Sequence, residues 1–150
     1  MIYLLDTDMI IFLARGSKST RPKAERQRAQ KVAEHCQRAQ ADSDLVGLSA
    51  ITVSELEFGA RYGGRYDAEI AVVRKLITPF ELFDYDAIVC PEHYGRVRHA
   101  LDRSGTTIGA MDLLIAAHAL ALGATLVSNN QQHFSRVAGL TTENWSRSAD

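Results

Sequence analysis

The stretch IGAMDLLIAAHALALGATLVSNN, Ile108 to Asn130, decides the fold. Met111 to Leu122 is apolar on nearly every side, a pattern that predicts a strong, well-shielded helix. Gly123 supplies its C-cap, and Ala124 to Val127 then reads as a short strand. Asp112 enters this helix immediately before Leu113, Leu114, Ile115, Ala116 and Ala117. An acid shielded from water in this way costs free energy unless something positive compensates it.

The rest of the chain repeats that alternation. Met1 to Leu5 reads as a buried strand feeding a helix through Asp-Thr-Asp, with Asp8 as the expected cap of Met9 to Ala14 and Gly16 as its stop. A turn at Asp42 to Asp44 precedes a second strand, Leu45 to Leu48. Helices are expected over Ser49 to Arg61, ended by Gly63-Gly64, and over Asp67 to Ile77, closed by Pro79. Glu81 to Phe83 is a third short strand and Asp86 to Ser104 a further helical stretch. Asn130 to Val137 is a short helix or turn, and Leu140 to Thr142 a last strand. Strands alternating with helices imply one α/β domain over residues 1–150: a parallel sheet of about five short strands with helices on both faces. Sites in such sheets form at the carboxyl ends of the strands, where Asp6 and Ser128 to Asn130 lie.

Composition narrows the function classes. At 150 residues, with 46% hydrophobic and 23% charged side chains, the chain fits one globular domain with a real core. No apolar run reaches the roughly 20 residues that span a bilayer. Asp6 and Asp8 interrupt the place where a signal peptide would be uniformly apolar. Cys36 and Cys90 lack metal-ligand spacing and read as free thiols of a cytoplasmic protein. The net charge of −1 conceals an asymmetry: Arg15 to Arg38 holds eight basic and two acidic residues, so this segment carries +6 and the remainder −7. A basic helical arm, about residues 15–40, on an acidic body suits contact with a polyanion.

Three acids stand beside apolar runs: Asp6 in LLDTDMI, Glu55 in ITVSELEFG and Asp112 in the opening stretch. Glu55 and Asp112 are expected near helix starts, where the helix dipole favours the ionised form. Alone, each is as readily a helix cap. Converged, the three would form an oxygen-ligand site for Mg²⁺ or Mn²⁺, which points to phosphodiester hydrolysis. Without an ion they would repel one another and destabilise the fold near neutral pH.

These contexts resemble the PIN domain, and more narrowly the VapC-type ribonuclease toxins of type II toxin–antitoxin systems. The resemblance runs nearly end to end: LLDT, SAITVSELEFGA, HYGRVRHAL, IGAMDLLIAAHALALGATLVSNN, FSRVAGL and ENW. It implies a Mg²⁺-dependent endoribonuclease, with Mn²⁺ able to substitute, whose metal-binding and catalytic acids are Asp6, Glu55 and Asp112. It also implies water attack in line at phosphorus, 5′-phosphate and 3′-hydroxyl ends, and a substrate such as a tRNA or ribosomal RNA loop. Glu55 would ligate the ion through water or orient the nucleophile. A VapB-type antitoxin would neutralise the toxin by laying an apolar, acidic tail near the first helices. A homodimer, or a heterotetramer or larger assembly with the antitoxin, is expected, and no membrane.

One position departs from the family. Asn130 stands where many members place a fourth acid; its amide oxygen can hold a metal or a water but brings no charge. Asp8 could supply part of that charge or, as a helix cap, point away. Thr7, Ser54 and Ser128 are expected to orient the carboxylates. Arg15, Lys18, Arg21, Lys23, Arg96 and Arg98 are the candidate contacts to RNA phosphates or to a partner. His118 lies off the face of Asp112 and reads as a packed histidine. His35, His93, His99 and His133 show no zinc-binding spacing, and Glu57 is expected in solvent. Two other readings are open. A non-catalytic module could bind Mg²⁺ to hold its shape. A haloacid dehalogenase-like phosphatase could use LLDTD, but after Ser128 it would have only Glu143 and Asp150 as further acids.

Overall fold

The computed structural model describes residues 1–147, and Asp150 lies outside them. Five strands, β1 (Ile2–Leu5), β2 (Leu45–Ser49), β3 (Glu81–Phe83), β4 (Thr125–Val127) and β5 (Thr142–Glu143), form one sheet in the order β3-β2-β1-β4-β5. Every neighbouring pair is parallel. Parallel strands need crossovers, and the helices that make them cover both faces.

Successive residues of a strand face opposite sides of a sheet, and β1 and β4 show the consequence. Leu5 and Val127 enter one core, beneath α1 (Thr7–Gly16), α2 (Lys23–Ala41) and α3 (Ala50–Tyr62). Leu4 and Leu126 enter the other, beneath α5 (Val89–Ser104) and α6 (Ala110–Leu122). Both faces are therefore apolar, as the uninterrupted runs in the sequence require. The remaining helices are α4 (Tyr66–Ile77) and the four-residue α7 (Gln131–Phe134).

Local chemistry sets the element ends. The helix after β1 starts at Thr7 and is capped by Asp6, not by Asp8, because the Asp6 carboxylate accepts the Thr7 amide. Asp86 accepts from the amides of Ile88 and Val89, and Pro91 falls in the first turn of α5, where its missing N–H costs nothing. Gly123 ends α6 in the left-handed region at φ 63°. The last strand lies later than expected. The Leu126 amide donates to Thr141 and the Ser128 amide to Glu143, which centres pairing on Thr142–Glu143, while Leu140 packs into the second core.

The chain runs from β1 outward through β2 to β3, then returns to lay β4 against the other side of β1. The order reverses between β1 and β4, and a crevice opens at such a switch point beyond the carboxyl ends of the strands. Asp6 follows β1 and Ser128 follows β4, and the Asp6 amide donates to Val127 O at 2.9 Å.

Candidate active site

Asp6 is buried at that switch point, with 3% of its surface exposed. Its Oδ1 accepts the Thr7 amide at 2.8 Å and its Oδ2 accepts the Ser128 hydroxyl at 2.9 Å. Ser128 Oγ in turn accepts the Asn130 amide at 2.8 Å, so one hydroxyl ties the turn after β4 to the acid after β1. Burial pushes the Asp6 carboxyl from its ordinary 3.8 up to about 7; the charges of Asp8 and Asp112 push the same way, and the bonds from Ser128 and Thr7 oppose. A carboxylate gripped by two donors yet held so high lacks positive charge.

Glu55 joins Asp6 through the next residue in the chain. The buried Thr7 hydroxyl donates to Glu55 Oε1 at 2.7 Å and lies 3.0 Å from Thr52 Oγ1. Glu55 is half-buried and sits in the second turn of α3, so the helix-dipole expectation does not hold for it. Asp112 does lie in the first turn of α6, as expected. Burial again raises the carboxyl of Asp112, His133 opposes the rise and Asp8 adds to it. Asp112 Oδ2 lies 3.7 Å from His133 Nδ1.

Asp8 is exposed and lies in the first turn of α1, not at its cap; its charge raises the carboxyls of both Asp6 and Asp112. Ser54 does not join the group. Its exposed hydroxyl donates to Ala50 O in its own helix, the local bond a mid-helix serine prefers. Glu57 is not free in solvent but half-buried, accepting the Tyr66 hydroxyl at 2.8 Å. His118 is packed: Nδ1 meets Ser49 Oγ at 2.7 Å, and Tyr85 meets the ring edge-on. Ser49 also caps α3, so His118 braces the helix that carries Glu55.

The basic candidates divide. Arg15, Lys18 and Arg21 line a groove of about 560 Å³ whose apolar walls include Ile10, Ile11, Leu56 and Val72 and whose lining includes Glu55. Lys23 begins α2, which buries Ala29, Val32, Cys36 and Ala39 against the body. Arg96 and Arg98 make their contacts within α5, to His93 and Tyr94. Sequence reasoning missed His133 as a neighbour of the acids. The Asn130 amide nitrogen lies 2.9 Å from its Nδ1, and no periodicity in a four-residue helix reveals that contact.

This donor set fits a hard divalent cation: carboxylate oxygens from Asp6 and Asp112, with Glu55 next through Thr7. Burial and the neighbouring acids raise the Asp6 carboxyl, and a cation held there would offset both. Among the described residues no three acid, histidine or cysteine side chains already close on one point. Binding would therefore draw the carboxylates inward.

Residues 3–140 match the PIN domain family. The tRNA(fMet)-specific endonuclease VapC of Shigella flexneri is 31% identical over 96% of this chain and 98% of its own length. Ribonuclease VapC2 of Haemophilus influenzae is 34% identical over 95% of this chain and 97% of its own. Among solved structures, VapBC2 from Rickettsia felis bound to a promoter DNA fragment superposes with a TM-score of 0.81 at 30% identity, covering 97% of this chain and 99% of that one. VapBC-1 from nontypeable Haemophilus influenzae does so with 0.81 at 33% identity, covering 98% and 100%. An all-parallel five-stranded sheet, an acid at its switch point and likeness over the full length agree: this chain belongs to the PIN-domain family, among its VapC-type ribonucleases.

Proposed function

We propose that the chain is the endoribonuclease toxin of a toxin–antitoxin pair, dependent on Mg²⁺ or Mn²⁺ and acting on structured RNA in the cytoplasm. One observation carries this reading: a buried acid at the switch point of the sheet, fixed by two donors, with Glu55 tied to it through Thr7. A divalent cation at Asp6 and Asp112 would neutralise that charge, polarise a phosphate oxygen and acidify a bound water. Thr7 holds Glu55 at a fixed angle, so its carboxylate can orient the attacking water and take its proton. Ser128 fixes the Asp6 carboxylate through Oδ2.

The relative named for tRNA(fMet) supports a tRNA loop as substrate, with ribosomal RNA loops the other option. Unpaired loops present unstacked bases that side chains can stack on and hydrogen-bond. A VapB-type antitoxin is the proposed inhibitor, since the solved neighbours are VapBC complexes and the groove offers apolar walls with a basic side. Exposed Phe58 and Tyr62 on α3, in ring contact with each other, give a homodimer or larger assembly an apolar surface to cover. Among the described residues no helix is long and apolar enough to cross a membrane.

The test incubates purified protein with total RNA and Mn²⁺, alongside EDTA and an Asp6→Asn control. Discrete cuts with 5′-phosphate ends, absent from both controls, are expected. Equal cutting by Asp6→Asn, or by wild type in EDTA, would overturn the reading.

A further inference from the structure

We infer that His133 supplies a nitrogen ligand to the divalent ion held by Asp112, in the place that Asn130 leaves without a carboxylate. The inference rests on the proposed metal dependence and names a donor that the acids alone do not provide.

Three observations carry it. First, His133 Nδ1 lies 3.7 Å from Asp112 Oδ2, and adjacent ligands of one octahedral cation stand ~3 Å apart, so a small rotation of either side chain brings both onto a single ion. Second, the atom of Asn130 facing His133 Nδ1, at 2.9 Å, is its amide nitrogen, which only donates. An Nδ1 that accepts from this donor offers a lone pair, with the ring hydrogen on Nε2, the tautomer that can bind a metal through Nδ1. Third, the position is anchored and open. The Asn130 backbone N–H donates to the same Ser128 hydroxyl that binds Asp6, and the side chains of His133 and Asp112 are 45% and 27% exposed, so an ion can enter.

The Asn130 side-chain amide faces the imidazole lone pair; on binding, that lone pair would turn to the cation and the side-chain amide would be released. An imidazole in place of a fourth carboxylate removes a negative charge and adds a softer donor. Mn²⁺ accepts nitrogen more readily than Mg²⁺, so the histidine favours Mn²⁺.

Tag-free wild-type protein and a His133→Ala variant are titrated with Mn²⁺ by electron paramagnetic resonance, and the bound ion is examined for nitrogen modulation by spin echo. Mg²⁺ affinity follows from competition. The expected result is imidazole nitrogen coupling in wild type that vanishes in His133→Ala. Mn²⁺ affinity should fall about tenfold, and Mg²⁺ affinity by less. Bound Mn²⁺ that depends on Asp112 but lacks nitrogen coupling, or keeps it in His133→Ala, overturns the role of His133 and leaves the metal site standing. No Mn²⁺ bound by wild type overturns both. Circular dichroism of the variant separates loss of the ligand from loss of the fold.

Discussion

At the scale of single residues, Asp6 gathers the opposing demands of the fold and the site. Its folded carboxyl sits near 7 against an ordinary 3.8, so the metal-free folded state holds its proton more tightly than the unfolded chain. Stability from this group is full below about pH 4, is lost as pH rises toward 7, and is flat above. The shift corresponds to about 4 kcal/mol across that window. In EDTA, wild type should lose more stability between pH 4 and pH 8 than Asp6→Asn does, measured by urea denaturation at each pH. Ser128→Ala removes the donor to Asp6 Oδ2 and strands the Asn130 amide. It should cost about 1–3 kcal/mol and move the Asp6 titration upward, read by carboxyl NMR. The backbone placement of Asp6 and Asp112 was legible in the sequence, because each adjoins an apolar run that fixes its element. Side-chain directions were less so. Ser54 bonded back into its own helix, Glu57 found Tyr66, and Asp8 proved to add to the acidic field; each outcome depends on helix phase and on neighbours distant in the chain.

At the scale of elements, the approach of α1 and α2 sets where the basic arm lies. A Cβ on Gly16 would fall 2.1 Å from Ala29 Cβ, so the two helices cross where glycine leaves room. Alanine gains up to about 1 kcal/mol of helix propensity over glycine, but overpacking here costs about 1–3 kcal/mol, so Gly16→Ala should lower the melting temperature. Adding Ala29→Gly should recover most of the loss; independent effects of the two changes would contradict this packing. Helix and strand identities followed from periodicity and turn residues. The final strand did not, because its pairing with β4 is a long-range choice and Leu140 was needed in the core. The groove between α1, α3 and α4 was likewise invisible, since it joins residues more than fifty positions apart. Replacing Arg15, Lys18 and Arg21 together by Glu should weaken RNA binding at low salt and flatten its salt dependence. Unchanged binding would assign this side of the groove to the antitoxin alone.

At the scale of the molecule, the sheet order places two strand ends side by side, and the acids follow from that topology. On the proposed reading, bringing them together lowers the stability of the metal-free protein and a divalent cation would restore it, which would link ligand binding to folding. An ion at a hundred times its dissociation constant adds about 2.7 kcal/mol to the folded state. The most direct test compares thermal melts of wild type and Asp6→Asn at pH 8, in EDTA and in Mn²⁺. Wild type should melt lower than the variant in EDTA and rise clearly with Mn²⁺, while the variant hardly moves. A variant that melts lower than wild type in EDTA, or that gains as much from Mn²⁺, would contradict the account.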